Sequence, residues 1–380
     1  MATQLTTTRQ ERGEAIAKLE GQVRRLDENS YVVKSQSGNG EYAITKIDQE
    51  WFCECPDNKY RHIKCKHIFA VEFSKSFRAE VAICRVIPEV NVQICKYCGS
   101  ERIVKNAVRH NQNGSIQRYK CKACGKRFSI NLGFEKMKAT PQIVTSAMQL
   151  YFTGESLRNV QKFLRLQGVT INHVTVLRWI RKYVNIMGEY LEKIKPNVSD
   201  TWRADELYVK IKGDMKYLFA ILDDETRFWI SQEVAETKDM HDARTLFSKA
   251  RFLMEKQPQT IITDGLPTYS IASMKAFPDA THVRNIQFRD RANSNKMERF
   301  CGEVRDREKV FRGLKTKETP IISGYQLFHN YIRPHEALEG KTPSEACGIK
   351  VEGQNKWITL IQNAVKSSRE TSPDMQRGEA

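Results

Sequence analysis

The alternation of apolar and polar residues in the second half of the chain predicts two strands and one helix, each beside an acid. Every second residue from Asp205 onward reads Asp, Leu, Val, Ile, so a carboxylate shares a strand face with apolar side chains. The apolar run at 260–263 predicts a second strand, which ends at Asp264. Glu298 flanks a helical apolar stripe by one residue. The stripe consists of Met297, Cys301, Val304 and Phe311.

These three acids together indicate a site for divalent cations. Carboxylates gathered in one site repel one another unless a cation stands between them. Two Mg²⁺ or Mn²⁺ ions, about 3.5–4 Å apart, would neutralise the acids, activate a water or a 3′-hydroxyl, and stabilise the leaving oxygen of a phosphodiester. A helix cap or a surface charge is the alternative for any single acid, because carboxylates are common at such positions. That alternative explains the triple less well than a metal site does.

Four sequence blocks resemble those of a known enzyme family. They read Trp-Arg-Ala-Asp-Glu-Leu-Tyr-Val-Lys at 202–210, Thr-Asp-Gly-Leu-Pro-Thr-Tyr at 263–269, Asn-Lys-Met-Glu-Arg-Phe-Cys-Gly-Glu at the start of 295–314, and Asn-Tyr-Ile-Arg-Pro-His-Glu-Ala-Leu at the start of 330–343. They resemble DDE transposases of prokaryotic insertion sequences. The 33 residues between the second and third acids fit the usual gap of that family.

This resemblance implies an RNase H-like catalytic core over residues 198–348, in which a mixed sheet is flanked by helices. It also implies that Asp205, Asp264 and Glu298 are the metal ligands of that core. Two cations in the same blocks, Lys296 and Arg299, are candidates for contacts with DNA phosphates, and an ordinary surface charge is the equal alternative.

The first cysteine cluster, Cys53-x-Cys55 followed by Cys65-x-His67, predicts a zinc site within a module spanning residues 1–80. Thiolates and an imidazole suit tetrahedral zinc, and close pairs at each end can clamp one ion. The pattern resembles a SWIM-type zinc finger, here preceded by a helix. Unrelated buried or redox-active cysteines are the alternative.

The second cysteine cluster predicts a zinc ribbon over residues 90–130. Its ligands are Cys95, Cys98, Cys121 and Cys124. Two Cys-x-x-Cys-Gly knuckles are separated by 22 residues, and each glycine permits the tight turn around a metal. Short strands are expected around a turn at 111–114. Disulfides are the alternative, although no secretory leader indicates an oxidising compartment.

Residues 139–196 predict a helix-turn-helix domain. Thr140-Pro141 opens one helix, Gly154-Glu155-Ser156 ends it and caps a second, and a third begins near Asn172. On the third helix, Val174, Leu177 and Ile180 form the expected apolar face. Arg178, Arg181 and Lys182 lie elsewhere on it, as on a recognition helix in a major groove. A plain helical linker is the alternative.

The distribution of charge also points to a nucleic-acid partner. The chain has a formal net charge of +17 over its 380 residues. Residues 85–196 contain 20 Lys and Arg but 6 Asp and Glu, which gives a net +14 in this one segment. Such a patch could neutralise several phosphates and would make DNA binding strongly dependent on salt concentration. The alternative is a basic surface that contacts only solvent.

The remaining features of the sequence predict a location in the cytoplasm, where the DNA is, rather than in a membrane. No apolar stretch approaches the roughly 20 residues that span a bilayer, and the first residues lack the apolar core of a signal peptide, so we expect a cytoplasmic, nucleoid-associated protein. Residues 349–380 are expected to form a C-terminal tail, disordered from 367 onward.

The sequence therefore predicts a multidomain α+β and α/β protein: two zinc modules, a helix-turn-helix domain and an RNase H-like core. The predicted function is a transposase that binds the terminal inverted repeats of a mobile element, cleaves DNA with two metal ions and joins 3′ ends to target DNA. Holding two ends implies at least a dimer on DNA. A domesticated DNA-binding regulator and a structure-specific nuclease of the same fold are the alternatives.

Overall fold

The computed structural model describes most of the chain. The described residues are 8–19, 22–26, 29–36, 38, 40–47, 50–79, 85–90, 94–111, 114–129, 131–135, 137–264, 266–284, 294–311 and 320–370. Within these ranges no helix combines the length and the apolar content needed to cross a membrane.

The N-terminal module is a four-stranded antiparallel sheet covered by two packed helices. Its elements are α1 (Arg9–Lys18), β1 (Val23–Arg25), β2 (Ser30–Lys34), β3 (Glu41–Ile47), β4 (Glu50–Cys53), α2 (Pro56–Lys59) and α3 (Lys66–Ala79). The strands are ordered β1-β2-β3-β4, and α1 lies against α3. Ile16 of α1, Tyr31, Val33 and Ile44 of the sheet, and Ile68 of α3 close a small core. The predicted N-terminal helix is therefore part of this module.

The second module is a three-stranded antiparallel sheet beyond a short strand, β5 (Arg85–Ile87). It contains β6 (Ile103–Asn111), β7 (Gly114–Cys121) and β8 (Arg127–Ser129) in the order β6-β7-β8. The predicted short strands are present and longer than expected. Gln112 and Asn113 of the predicted turn lie outside the described residues. The core is small: Cys95, Cys121 and Phe128 are buried against Ile103 and Tyr119.

Three helices follow with the caps that the sequence predicts. They are α4 (Pro141–Thr153), α5 (Leu157–Leu166) and α6 (His173–Leu191). Thr140, Ser156 and Asn172 are their N-caps, and each side chain accepts a backbone N–H of the first turn. These polar caps satisfy N–H groups that would otherwise lack partners, which explains why the boundaries could be read from the sequence.

The predicted apolar face of α6 is correct at Ile180, which is buried, but it is wrong at Val174. Val174 is 40% exposed and Leu177 is half-buried, whereas the buried positions are displaced around the helix. The buried side chains are Val176, Trp179, Ile180, Tyr183, Val184, Met187 and Leu191. The large rings of Trp179 and Tyr183 set the buried side, because α6 packs on helices from distant parts of the sequence.

Residues 201–311 are built on a mixed five-stranded sheet. Its elements are β9 (Thr201–Ile211), β10 (Asp214–Asp223), β11 (Trp229–Ala235), α7 (Met240–Met254), β12 (Thr260–Thr263), α8 (Pro267–Ala276), β13 (Thr281–Arg284) and α9 (Ser294–Phe311). The order is β11-β10-β9-β12-β13; the first three strands are antiparallel neighbours, and β12 runs parallel to β9 and β13. Helices α7 and α9 pack on the sheet. This is the predicted RNase H-like arrangement.

The last part of the chain folds back onto the helical domain. It contains α10 (Pro320–Leu327), a π-helical turn (Phe328–Ile332), a 3₁₀ turn (Glu336–Leu338), α11 (Pro343–Ala346), β14 (Ile349–Val351) and α12 (Lys356–Glu370). β14 pairs in parallel with β5, and α12 packs against α4 and α6.

The expectation of a C-terminal tail is therefore wrong for residues 349–370. Trp357, Leu360 and Ile361 are buried, and the Trp357 ring stacks on Phe152 of α4 at 5.7 Å between ring centroids. Residues 366–370 are polar, as in a disordered segment, but they form the last turns of α12. The buried apolar residues of the first turns hold this helix against the rest of the protein. Residues 371–380 lie outside the described residues.

Candidate active site and metal centres

Asp205 and Asp264 lie side by side on neighbouring strands of the central sheet. β9 and β12 pair in parallel with Ile262 opposite Arg203, and the same register continued by two residues sets Asp264 beside Asp205. Ligand oxygens of Asp205, Glu206 and Asp264 all lie within 4.8 Å of one another. The predicted strand assignments therefore bring two of the three predicted acids together at the carboxyl edge of β12.

The carboxylate of Asp205 is oriented by two donors. Its Oδ1 accepts the backbone N–H of Glu206 at 2.8 Å, and its Oδ2 lies 3.6 Å from the Cys301 thiol of α9. Burial raises the pKa of Asp205 to about 6, and the charges of Glu206 and Asp264 act in the same direction. The negative charges of these neighbouring carboxylates repel one another. A hard divalent cation bound between their oxygens would stabilise the ionised carboxylates.

Glu206 supports this cluster from the opposite face of β9. Its Oε2 accepts the hydroxyl of Tyr269 at 2.7 Å, and its Oε1 accepts the ammonium of Lys238 at 2.6 Å. Both oxygens are thus already engaged. Sequence reasoning missed Lys238 and the role of Tyr269. Tyr269 stood in one of the matching blocks, whereas nothing in the pattern around Lys238 marked it.

Glu298 lies apart from the two aspartates. Its side chain is exposed on α9, and it does not join the acid cluster formed by the described residues. Cys301, one helical turn further along the same face, is the residue that contacts Asp205. Glu298 therefore lies one turn before Cys301 on α9 with its side chain in solvent, and its role as a metal ligand stays a prediction.

Lys296, predicted as a contact for DNA phosphates, pairs with Asp224 in the structure. Its Nζ donates to the carboxylate and to the backbone carbonyl of Asp224, at 3.0–3.3 Å, and its side chain is 13% exposed. Arg203 of β9 also pairs with the buried Asp224. In this structure the ammonium of Lys296 is engaged by Asp224, and a contact of Lys296 with DNA stays a prediction. Arg299 is exposed, as expected.

Further polar contacts fix α9 along its length. Arg333 donates to both oxygens of Glu303, at 2.6 and 3.0 Å, and the Glu308 carboxylate accepts the backbone N–H of Lys210 at 3.0 Å. The Arg307 guanidinium lies 4.5 Å from the ring centroid of Tyr151 on α4. The helix that bears Glu298 is therefore connected both to the sheet and to the helical domain.

The first cysteine cluster is gathered at one end of the N-terminal module. Cys53 ends β4, Cys55 precedes α2, and Cys65 and His67 flank the start of α3. All four residues are buried, and their ligand atoms lie within 4.8 Å of one another. His67 Nδ1 lies 3.8 Å from Cys53 Sγ. A closed set of three sulfurs and one nitrogen fits structural zinc.

The second cluster has the spacing of a tetrahedral sulfur site. The Cys95–Cys124 and Cys98–Cys121 sulfurs lie 3.6 and 3.7 Å apart. Two sulfurs bound to one zinc at about 2.3 Å stand about 3.8 Å apart, whereas a disulfide needs about 2.05 Å. The disulfide alternative is therefore excluded for these pairs. Backbone N–H groups, that of Cys124 first, lower the pKa of Cys121 to about 6, which favours a thiolate ligand.

The glycines of the two knuckles have the backbone conformation that the sequence predicted. Gly99 and Gly125 have φ of +67° and +72°, a region that side chains other than glycine rarely adopt. Their N–H groups donate to the carbonyls of Cys95 and Cys121, at 2.8 and 3.0 Å. Each knuckle is therefore closed by its own glycine.

Two surfaces carry the positive charge. On α6, Arg178, Arg181 and Lys182 are all exposed, as the sequence predicted. The second surface, here called the ribbon face, was missed. It consists of the exposed residues Arg109, Arg118, Lys120 and Arg127. Cross-strand pairing puts these four side chains on one side of the β6-β7-β8 sheet, opposite Tyr119 and Phe128. The sequence could have indicated the ribbon face, because residues 102–134 contain no Asp or Glu.

Family models match two parts of the chain. Residues 199–335 match a DDE domain of the IS240 type, and residues 44–76 match the SWIM zinc finger. The DDE domain is a domain of metal-dependent enzymes that cleave and transfer DNA strands, which supports the enzyme class that the sequence predicts. More particularly, the chain carries a DDE domain at residues 199–335 behind a SWIM zinc finger at residues 44–76, and these two parts of the predicted resemblance are confirmed.

Curated relatives agree with this assignment. The transposase for the insertion sequence-like element IS431mec of Staphylococcus aureus is 26% identical over 210 residues, which are 54% of this chain and 92% of that protein. The transposase for IS257 in transposon Tn4003, also from Staphylococcus aureus, gives the same values. An uncharacterized 48.3 kDa protein of insertion element ISM1 from Methanobrevibacter smithii is 21% identical over 275 residues, which are 64% of this chain and 65% of that protein.

Solved structures of retroviral integrases were also matched. The HTLV-2 integrase catalytic core domain with magnesium has 16% identity and a TM-score of 0.31, over 40% of this chain and 98% of that one. A chain of the simian T-cell lymphotropic virus intasome in complex with the PP2A regulatory subunit B56γ has 15% identity and a TM-score of 0.31, over 50% of this chain and 69% of that one.

Proposed function

We propose that the chain binds the terminal inverted repeats of a mobile DNA element, cleaves phosphodiester bonds there, and joins the 3′ ends to target DNA. The observation that carries this proposal is the meeting of Asp205 and Asp264 on adjacent parallel strands, beside the helix that bears Glu298. Hard oxygen ligands at one edge of a sheet are what metal-dependent phosphoryl transfer requires. The named relatives are transposases of insertion sequences, which favours joining of strands over hydrolysis alone.

In this proposal Asp205, Asp264 and Glu298 hold the catalytic cations. Bound Mg²⁺ or Mn²⁺ would supply activation of the attacking water or 3′-hydroxyl and stabilisation of the leaving oxygen. The Glu206 N–H and the Cys301 thiol orient the Asp205 carboxylate and leave it lone pairs for a cation. The Lys296–Asp224 pair fixes the first turn of α9, two residues before Glu298. Preorganised ligands of this kind lower the cost of assembling the site.

The basic surfaces would hold duplex DNA ahead of this site. The exposed face of α6 suits a major groove, where Arg178, Arg181 or Lys182 can reach base edges or phosphates. The ribbon face suits the sugar-phosphate backbone, because its cations stand on one side of the sheet. Arg299 is a further candidate for a phosphate near the acids. Since two element ends react together, we expect at least a dimer on the DNA of the nucleoid.

Each cysteine cluster would hold one structural Zn²⁺. Their four-ligand sets are complete, and three or more of the four residues in each cluster are at least half-buried, which is typical of structural rather than catalytic zinc. Zinc in such sites contributes folding free energy to modules whose apolar cores are small.

Conservative changes of the acids test the proposal. Asp205→Asn, Asp264→Asn and Glu298→Gln should each lower strand joining by at least about 10²–10³-fold while binding of end DNA stays nearly unchanged, because metal ligands are lost and shape is kept. Joining would be measured with pre-cut element ends, target DNA and Mn²⁺ or Mg²⁺. The matched control is Asp306→Asn, which changes an exposed acid of α9 that pairs with Lys309.

The outcomes separate the candidate functions. Joined product that depends on all three acids supports a transposase. Cleavage without joining would identify a nuclease, and tight end binding with neither reaction would identify a DNA-binding regulator. Wild-type joining by any one variant would remove that residue from the ligand set.

A further inference from the structure

The loop between β11 and α7 carries a lysine, Lys238, that pairs with one member of the acid cluster. The ammonium of Lys238 donates to Glu206 Oε1 at 2.6 Å. It also lies 5.4 and 5.0 Å from the ring centroids of Tyr208 and Tyr217, where cation–π attraction helps to hold it. The side chain of Glu206 is 4% exposed, whereas that of Lys238 is 32% exposed. The charged end of this lysine is therefore fixed by partners on the sheet.

Glu206 links Lys238 to the two aspartates through short distances. Ligand oxygens of Asp205, Glu206 and Asp264 lie within 4.8 Å of one another. The second oxygen of Glu206 accepts the hydroxyl of Tyr269 at 2.7 Å, a neutral donor that leaves the negative charge of the carboxylate in place. The acid cluster and Lys238 therefore form one compact group of charges, in which three carboxyl groups stand against one ammonium.

The charges of Glu206 and Lys238 act on a nearby divalent cation in opposite directions. A carboxylate within a few ångströms of the cation attracts it, and an ammonium one hydrogen bond further away repels it. Both interactions are larger for a divalent than for a monovalent ion, because Coulomb energy is proportional to the charge. We propose that Glu206 raises, and Lys238 lowers, the affinity of the Asp205–Asp264 site for its divalent cations.

This inference rests on the proposed function, in which the aspartates hold the catalytic cations. It adds two residues that set the strength of cation binding from outside the proposed ligand set. Mg²⁺ in phosphoryl-transfer sites is usually held by one or two carboxylates together with substrate phosphates. A site weakened by Lys238 would therefore fill mainly when DNA phosphates are present, so that cation binding depends on DNA binding.

A purely structural ion pair is the competing explanation. Lys238 joins the loop before α7 to β9, and loss of one partner of a buried pair destabilises a fold because the remaining charge is left without compensation. Such a role predicts that Lys238→Met and Glu206→Gln both lower thermal stability, while their effects on cation binding are absent or have the same sign. An electrostatic role predicts effects of opposite sign.

The experiment measures Mn²⁺ affinity and the Mn²⁺ concentration at half-maximal strand joining in the full-length protein. Affinity is measured by titration calorimetry without DNA, and joining with pre-cut ends and target DNA. The variants are Lys238→Met, Lys238→Arg, Glu206→Gln and the double variant that combines the first and the third, and thermal stability is recorded for each. Lys249→Met is the matched control, because it removes a lysine of α7 that pairs with Glu233. Asp205→Asn identifies the binding that belongs to the acids.

We expect Lys238→Met to lower the Kd for Mn²⁺ and the half-maximal concentration about tenfold, and Glu206→Gln to raise both about tenfold. The double variant should lie near wild type, because the two effects cancel, and Lys238→Arg and Lys249→Met should match wild type. Unchanged values in either single variant, or changes of the same sign, would overturn the inference while Asp205→Asn still abolishes joining. Absence of joining by the wild-type protein, or wild-type joining by Asp205→Asn, would instead contradict the proposed function itself.

Discussion

The zinc clusters and the acid cluster are assembled in opposite ways. In the second zinc cluster each Cys-x-x-Cys-Gly knuckle supplies two ligands from four consecutive residues, and all four sulfurs are already at ligand distance. In the catalytic site the acids come from β9, the end of β12 and α9, and Glu298 stays in solvent. Ligands that are close in sequence therefore already form a complete four-ligand set in the second zinc cluster. The acids that come from distant elements form an incomplete set, because Glu298 is not beside the two aspartates.

This difference is consistent with what each site does. A structural site is most stable when its ligands are closed around the ion, because metal affinity then becomes folding free energy. A catalytic site must admit the substrate, so its ligands have to leave a side open. In the proposed site the exposed Asp264 and Glu298 would form that open side, and the half-buried Asp205 would form the fixed one.

The largest expected effect is the loss of a zinc ligand. Cys121→Ser should lower the zinc content from about two ions per chain to about one, unfold the ribbon and weaken DNA binding, because zinc supplies most of the folding free energy of such a small module. Elemental analysis of freshly purified, chelator-free protein measures this. Cys347→Ala, a buried cysteine outside both clusters, should keep both ions. Protein without zinc would contradict both predicted fingers.

A smaller effect is expected at the first turn of α9. Lys296→Met should lower strand joining by about 100-fold with little change in DNA affinity, because displacement of a catalytic group by about 1 Å has effects of that size. Lys296→Arg should restore part of the activity by keeping the ion pair with Asp224. Arg299→Ala, exposed and three residues further on, tests the same helix without that pair. If Lys296→Met weakened DNA binding instead, Lys296 would be a phosphate contact after all.

The smallest effects are expected at the basic residues of α6. These residues lie within a few positions of one another in the sequence, like the ligands within each zinc knuckle. Arg178→Ala should reduce affinity for the cognate end by about 1–3 kcal/mol and affinity for random duplex little, because an arginine can read guanine edges. Lys182→Ala should weaken both and reduce the salt slope by about one, as expected for a phosphate contact. Titrations at several salt concentrations measure both. Equal losses on cognate and scrambled DNA for each variant would locate sequence specificity in the zinc modules.

The same contrast explains which features could be predicted from the sequence. The caps of α4, α5 and α6 and the zinc ligands are fixed by residues a few positions apart, and these predictions agree with the structure. The strand face of Asp205 was also readable, because the alternation of Leu207, Val209 and Ile211 is local.

Features that depend on distant partners were missed or wrong. The buried side of α6 is set by α10 and α12, and Lys296 is held by Asp224, which precedes it by 72 residues. The contact of Lys238 with Glu206 is of the same kind, since it joins residues 32 positions apart. Side chains that pair across the fold leave no periodic signal in the sequence around either partner.

The packing of α12 on α4 and α6 has a consequence for how the protein is made. A chain emerging from the ribosome presents α4, α5 and α6, the helices proposed to bind DNA, well before residues 349–370 exist. Until then Phe152 lacks the ring of Trp357 that covers it. Strand β5 likewise waits for β14, more than two hundred residues later, and such distant pairings form slowly. Interrupted translation would therefore yield fragments in which the apolar surface of the proposed helix-turn-helix is exposed, and such fragments should aggregate. Stable binding to DNA would require a chain that is translated through α12.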